Sequence, residues 1–206
     1  MLGQSRYINP RRVRKIPERM LKYEYAEKLA MDIKPKAGMR VYCLLDGKFI
    51  FGDFFEAWAV CHNIHIKKMT IATLSLSEAN VDSLANLLNG GFVDALTLHV
   101  SDYFFSHERS NLVKYIYQQL DKDDKFQLVV SGTHCKICLI HTNAGRKVVI
   151  HGSANLRSSG NLEQIVLEEN PPLYDFNVDV LEKIEARYKT IRKPERHNNL
   201  WKTVNS

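Results

Sequence analysis

Two spacings of apolar residues recur along this chain and predict its secondary structure. Runs rich in Ile, Val, Leu and Thr with a period near two residues predict strands, and apolar residues three and four apart predict helices. The predicted strands are Arg40–Leu45, Lys68–Leu76, Val93–Val100, Phe126–Val130, Cys135–Ile140, Lys147–Ile150 and Gln164–Leu167. The predicted helices run from Pro17 to Asp32, from Asp53 to Cys61, from the Ser75–Glu78 segment to Leu88, from Ser106 or His107 to Leu120, and from Asp175 to Ile191.

Turn and capping residues delimit these elements. Pro17 suits the first turn of a helix, and Ser75-Leu-Ser-Glu78 has the pattern of a capping box. Asn89-Gly-Gly91 ends the helix that follows, and Asn143-Ala-Gly145 predicts a hairpin turn between two strands. Strands that alternate with helices and end in a β-rich segment predict an α/β domain with a mixed sheet.

Length and composition narrow the class of protein. The chain has 206 residues, 45% hydrophobic and 25% charged, which is the balance of a globular domain and excludes wholesale disorder. No apolar run approaches the roughly 18–20 residues of a membrane helix, so we expect no stable membrane insertion. The first residues are polar and Arg-rich, which predicts a cytoplasmic protein whose four Cys are reduced thiols.

The net charge of +6 is unevenly distributed. Residues 1–40 carry a net +7 and residues 183–206 a net +5, whereas residues 41–182 carry a net −6. Basic ends suit a polyanion, and nucleic acid is the partner we expect, although a solvated basic tail is an equally simple interpretation. The candidate nucleic-acid-binding residues are Arg11, Arg12, Arg14, Lys15 and Arg157.

The segment from Gly132 to Gln164 carries the candidate chemistry. On an extended chain, His134 and Lys136 share a face, and the predicted hairpin returns Ser153 and Asn155 beside them. An imidazole can attack phosphorus or protonate a leaving oxygen, an ammonium neutralises charge, and a hydroxyl and an amide donate hydrogen bonds to phosphoryl oxygens. Glu163 follows, as a carboxylate that can orient the imidazole.

These residues carry a resemblance to a known family. His134-x-Lys136 followed by Gly152-Ser153-x-Asn155 resembles the signature of the phospholipase D superfamily, and Gly160-Asn-Leu-Glu163-Gln resembles the segment that follows it there. The resemblance implies a layered α/β/α fold with a mixed sheet. It divides the chain into a basic arm and helix (1–38), a catalytic domain (39–170), and a C-terminal helix and basic tail (171–206).

The resemblance also implies a mechanism. Such active sites use two motifs: one His becomes a phosphohistidine, the other is general acid and then base, and no metal or cofactor is needed. This chain has one copy, because His65-Ile-Lys67 lacks the Gly-Ser-x-Asn sequel. A single motif is similar to that of the small nucleases of the superfamily, which implies a homodimer with a shared site. We therefore expect a nuclease, with DNA favoured over RNA.

The sequence departs from the family pattern at one position and leaves alternatives open. The Asp that usually follows the Lys by five residues is His141 here, and the stretch from it to Gly152 is longer than usual. A catalytically silent DNA-binding member is therefore the first alternative, and a lipid phosphodiesterase the second.

Two further motifs have competing interpretations. Cys135-x-x-Cys138 suggests zinc, but odd spacing on a strand sends the thiols to opposite sides, which favours buried apolar thiols and no metal. Tyr103, Phe104 and Phe105 suit base stacking or core packing, and core packing is the simpler expectation.

Overall fold

The computed structural model describes residues 19–23, 25–46, 49–157 and 159–190. Within them the strands are β1 (Arg19–Tyr23), β2 (Arg40–Leu45), β3 (Ile66–Thr73), β4 (Leu96–Ser101), β5 (Phe126–Ser131), β6 (Ile137–Thr142), β7 (Lys147–Gly152), β8 (Glu163–Glu169) and β9 (Lys189–Thr190). The helices are α1 (Ala26–Asp32), α2 (Phe51–Cys61), α3 (Glu78–Asn89), α4 (Asp102–Glu108), α5 (Leu112–Leu120) and α6 (Pro171–Tyr188).

The described strands form one mixed sheet in the order β1-β2-β8-β7-β6-β3-β4-β5-β9. Strands β3, β4 and β5 are parallel, as are β1 and β2. The run from β2 through β8, β7 and β6 to β3 is antiparallel, and β9 joins β5 antiparallel. The C-terminal ends of the parallel strands β3, β4 and β5 therefore lie at one edge of the sheet, where β6 begins and β7 ends.

Alternation of side chains along the strands gives the sheet two different faces. Ile71, Leu98 and Ile140 belong to a large apolar core shared with α1, α2, α3 and α5. Leu139 and Val129 belong to a smaller core on the opposite face, closed by the α6 residues Leu181, Ile184 and Tyr188. Helices thus cover both faces of a mixed sheet, which confirms the α/β/α layering predicted from the sequence.

The predicted helix from Pro17 to Asp32 is wrong over its first part. Residues 19–23 form β1, which pairs in parallel with β2, and α1 begins only at Ala26. Pairing with a distant strand outweighs the weak local helix preference of such a segment.

The capping box predicted at Ser75 is also wrong. Ser77 is the N-cap of α3, and its hydroxyl accepts a hydrogen bond from the Asn80 side chain (2.7 Å) rather than from the helix backbone. The Asn80 side chain is held there because its Oδ1 accepts from the buried Gly52 N–H of α2 (2.9 Å).

The imidazole of His99 is completely buried in the middle of β4. Neither ring nitrogen has a hydrogen-bond partner among the described residues. Burial, and secondarily the positive charge of Lys68, lower the pKa of His99 from 6.5 to about 3. The folded protein therefore holds this ring in its neutral form.

Acid is expected to destabilise the fold through His99. Below pH 6.5 the ring takes up a proton in the unfolded chain but not in the folded one, so stability falls by up to about 1.4 kcal/mol per pH unit until the pH nears the folded value. Urea unfolding between pH 6.5 and 4 would measure the slope, and His99→Leu should reduce it by about one proton. His65→Leu, at an exposed histidine, is the matched control. An unaltered slope in His99→Leu would contradict the prediction.

Candidate active site

The residues of the two motif segments lie at the edge of the sheet where β3, β4 and β5 end. The hairpin of β6 and β7 pairs Ile137 with His151, and the Gly152 N–H donates to the carbonyl of Lys136 (3.4 Å). This pairing places the His134–Lys136 segment beside the segment that begins at Gly152, as the hairpin prediction required.

His134 and Lys136 are in contact. β6 begins at Ile137 rather than at Cys135, so the two residues lie on the irregular segment before the strand. The Lys136 Nζ lies 3.3 Å from His134 Nδ1 and 3.4 Å from the His134 carbonyl oxygen. An ammonium only donates, so Nδ1 accepts and a neutral ring carries its proton on Nε2. The His134 side chain is exposed, and Nε2–H is its free donor toward solvent.

Ser153 is fixed against the start of β8. Its N–H donates to the carbonyl of Gln164 (2.9 Å), and its hydroxyl accepts from the Gln164 N–H (3.1 Å). The same hydroxyl donates to Oε2 of Glu163, while Ser159 donates to Oε1 (2.9 Å). Glu163 is thus held by two serines, and the described contacts do not join it to His134 of the same chain.

Asn155 is anchored on the other side, at the end of β3. Its Oδ1 accepts from the Leu74 N–H (3.1 Å) and from the Thr73 hydroxyl (3.5 Å). Thr73 also accepts from the Leu156 N–H (3.2 Å), which fixes the loop that carries Asn155. Among the described residues no group contacts Nδ2, so the amide presents a donor from a fixed position.

Two separate depressions in the surface lie beside these groups. One, of about 470 Å³, is lined by Lys136, His151 and Gln164. Another is lined by Asn155, Arg157 and Glu163. The Arg157 side chain is exposed, and its N–H donates to the Ser75 carbonyl (3.2 Å), so the guanidinium is carried on an anchored loop.

Other predicted residues lie elsewhere. His141, at the position of the family's Asp, is near the far end of β6, where its ring lies 6.0 Å from that of Tyr174. Cys138 is buried, which raises its pKa, whereas Cys135 is exposed. Arg11, Arg12, Arg14 and Lys15 lie outside the described residues.

The described residues contain no cluster of three or more His, Cys, Asp or Glu that could bind a metal. None of the helices they form has the length and apolar character needed to cross a bilayer.

Sequence reasoning missed Thr73. Its hydroxyl fixes both Asn155 and the next residue, Leu156, from a strand that is distant in sequence. The only sequence signal is its place as the polar last residue of an apolar strand, at the edge where parallel strands end.

Comparisons with known proteins place the fold. No family model matches the chain, and no curated protein matches it in sequence. Phosphatidylserine synthase from Haemophilus influenzae matches in structure with a TM-score of 0.53 and 14% identity, over 79% of this chain and 41% of that one. Nuc from Salmonella typhimurium, a phospholipase D family member, has a TM-score of 0.48 and 15% identity, over 65% and 84%. NucT from Helicobacter pylori has a TM-score of 0.47 and 15% identity, over 58% of this chain and 79% of that one.

The match to phosphatidylserine synthase, at 14% identity, shows a shared fold. The layered α/β fold that the His-x-Lys and Gly-Ser-x-Asn resemblance implies is therefore confirmed.

Proposed function

We propose that this protein is a phospholipase D-like phosphodiesterase that cleaves nucleic acid without a metal, through a phosphohistidine formed in a homodimeric site. One observation carries the proposal. The His134–Lys136 contact, the Ser153–Glu163 hydrogen bond and the anchored Asn155 amide lie at one edge of the sheet. Together they provide a nucleophile or acid, a cation and hydrogen-bond donors for one phosphoryl group.

The proposed cycle balances without a cofactor. A ring nitrogen of His134 attacks phosphorus, a P–N bond forms, and the P–O bond to the leaving group breaks. The leaving oxygen takes a proton from His134 of the partner subunit. Water then attacks phosphorus, giving its proton to that same imidazole, and the P–N bond breaks, which restores both rings.

The contacts in the free protein support the following roles for the other residues. Lys136 donates to Nδ1 of His134. This contact favours the tautomer of the neutral ring that donates from Nε2. A phosphoryl oxygen that draws the Lys136 ammonium away releases Nδ1 for attack. Asn155 donates from Nδ2 to a second phosphoryl oxygen. The Ser153 hydroxyl leaves the Glu163 carboxylate and donates to the substrate instead. Glu163, bonded to that hydroxyl, is a positioning residue.

The shared site is supported by exposure and motif count. One His134 per chain cannot be both nucleophile and acid, and its exposed ring is accessible to a second copy. A two-fold axis would bring both copies of His134 and Lys136 to one phosphate. Leu162, 73% exposed beside Glu163, is an apolar side chain that such a contact would cover.

Nucleic acid is favoured over lipid by the charge distribution. The basic ends of the sequence suit a long phosphate backbone, and the exposed Arg157 and the half-buried Lys136 add positive charge at the site itself. The replacement of the family's Asp by His141 favours one second candidate, a silent member that binds DNA at the same edge of the sheet.

Incubation with plasmid DNA in EDTA tests the proposal. We expect nicked and linear products, because His134 supplies the nucleophile and Lys136 neutralises charge on the phosphate without a metal ion. Binding without cleavage would identify the silent member instead. Release of phosphatidate from phosphatidylcholine vesicles, with plasmid left intact, would identify a lipid enzyme. Cleavage that requires added Mg²⁺ would contradict the histidine mechanism.

A further inference from the structure

An exposed aromatic pair lies on α4. Tyr103 is 69% exposed, and its ring centroid lies 3.9 Å from that of His107, at an interplanar angle of 32°. His107 Nδ1 is 2.8 Å from the Tyr103 carbonyl oxygen, so the imidazole has a fixed position on its helix. The neighbours Phe104 and Phe105 are buried and supply the core contacts of α4. Because these two neighbours pack in the core, α4 does not need Tyr103 for packing.

This pair lies at the same edge of the sheet as the candidate active site. α4 starts directly after β4, whose last residue, Ser101, pairs with Ser131 at the end of β5. His134 follows Ser131 on the next loop. The C-terminal ends of these parallel strands thus place both segments side by side.

A chain of hydrogen bonds connects α4 to Asn155. The Ser101 hydroxyl accepts from the Phe104 N–H (3.0 Å) and donates to the Leu74 carbonyl (3.4 Å). The Leu74 N–H in turn donates to Asn155 Oδ1 (3.1 Å). Two residues, Ser101 and Leu74, therefore separate the start of α4 from a side chain that we assign to the phosphate.

We infer that Tyr103, packed against His107, is a base-stacking platform for single-stranded nucleic acid, and this rests on the proposed phosphodiesterase function. Every base has a flat π face, so an exposed ring beside a phosphate site binds bases with little sequence preference. Bases within a duplex stack on one another and do not offer that face. The platform therefore adds affinity for an unpaired nucleotide next to the cleaved phosphodiester, whereas a duplex binds without that contact.

The nearby charges are compatible with a nucleotide. The Asp102 carboxylate on α4 is bonded to the Tyr103 N–H (2.8 Å), on the backbone side of the helix start. Arg109, just beyond the end of α4, is exposed and supplies a cation within the same segment. The face of the Tyr103 ring carries no formal charge, which suits stacking with a base.

Binding of fluorescein-labelled single-stranded DNA to Tyr103→Ala tests the platform. Loss of a stacked base is worth about 1–3 kcal/mol, so the affinity should fall by about 5- to 150-fold. Tyr103→Phe keeps the ring and should stay within about twofold of the wild type. Phe176→Ala is the matched control, since Phe176 is 67% exposed on α6. An oligonucleotide with the same phosphates but abasic sites should bind the wild type and Tyr103→Ala equally.

The outcomes separate this inference from the proposed function. Wild-type affinity in Tyr103→Ala, with plasmid cleavage intact, would overturn the platform and leave the nuclease proposal standing. An equal loss in Phe176→Ala, or an equal loss on abasic DNA, would also overturn the platform. A wild-type protein that neither binds nor cleaves nucleic acid would overturn both proposals.

Discussion

Replacement of His134 by alanine is expected to abolish cleavage in EDTA, with a rate loss of at least about a thousandfold. In the proposed dimer one copy of the His134 imidazole bonds to phosphorus and the other protonates the leaving oxygen, so a substitution present in both subunits stops both halves of the cycle. The His134 side chain is exposed and contacts Lys136, and its loss leaves no cavity in either core. The variant should therefore unfold at the same urea concentration as the wild type.

The chain contains a matched control for this change. His65-Ile-Lys67 has the same His-x-Lys pattern, and His65 is exposed as His134 is. His65 lies before β3, where its Nδ1 contacts the Gly91 carbonyl (3.2 Å), at the opposite end of that strand from Thr73. His65→Ala should cleave at the wild-type rate. Equal losses in the two variants would show that His134 has no special role.

Mixing subunits extends the His134 prediction to the dimer. If one site uses both copies of His134, a one-to-one mixture of wild type and His134→Ala, refolded together, should retain about a quarter of the wild-type activity at equal total protein. Independent sites would retain about half. Sedimentation of the wild type as a monomer, with and without DNA, would contradict the shared site directly.

The hairpin that builds the site could be predicted from sequence because its determinants are local. Two short apolar strands flank Asn143-Ala-Gly145, and Gly145 adopts a φ of 79°, a left-handed conformation that glycine tolerates best. Its N–H donates to the Thr142 carbonyl (2.9 Å), which closes the turn. Once the turn is fixed, pairing brings Gly152 back to Lys136 without any knowledge of the remaining sheet.

The second half of the site depends on contacts between distant segments. Ser153 and Asn155 were expected beside His134 and Lys136 on the returning strand, and the structure anchors the two side chains on different partners. Asn155 bonds to Leu74 on the β3 side, whereas Ser153 bonds to Glu163 at β8. Which strand neighbours which is set by the whole sheet, and spacing in one segment does not encode it. β1 was not predicted for the same reason, since it forms by pairing with β2 and not from a local pattern.

The packing of two strands requires the glycine of the Gly-Ser-x-Asn motif, which the family resemblance alone does not reveal. Gly152 is the last residue of β7 and pairs with Ile165 of β8. A Cβ added at Gly152 would lie 2.1 Å from the Gln164 carbonyl oxygen and 2.8 Å from the Ile165 Cα. Both atoms belong to the backbone of an interior strand, so no change of rotamer relieves the overlap.

Gly152→Ala is therefore expected to destabilise the fold by about 3 kcal/mol or more, at the upper end of overpacking effects. Relief of the clash requires β7 and β8 to separate, which would break the Ser153–Gln164 hydrogen bonds and displace Ser153 from Glu163. Any folded fraction should consequently lose cleavage activity as well as stability. Urea unfolding followed by tryptophan fluorescence would measure the first effect, since Trp58 is fully buried in the large core.

Gly132→Ala provides the comparison for Gly152→Ala. Gly132 lies two residues before His134, at the same edge of the sheet, and a Cβ there meets no atom within 4 Å. Its φ also lies outside the left-handed range, so alanine should change stability by less than about 1 kcal/mol, chiefly through the unfolded chain. A similar urea midpoint for the two variants would mean that β7 and β8 are less closely packed than Gly152 indicates. A large difference would show that the motif glycine is required by the close approach of two strands, independently of the phosphate chemistry beside it.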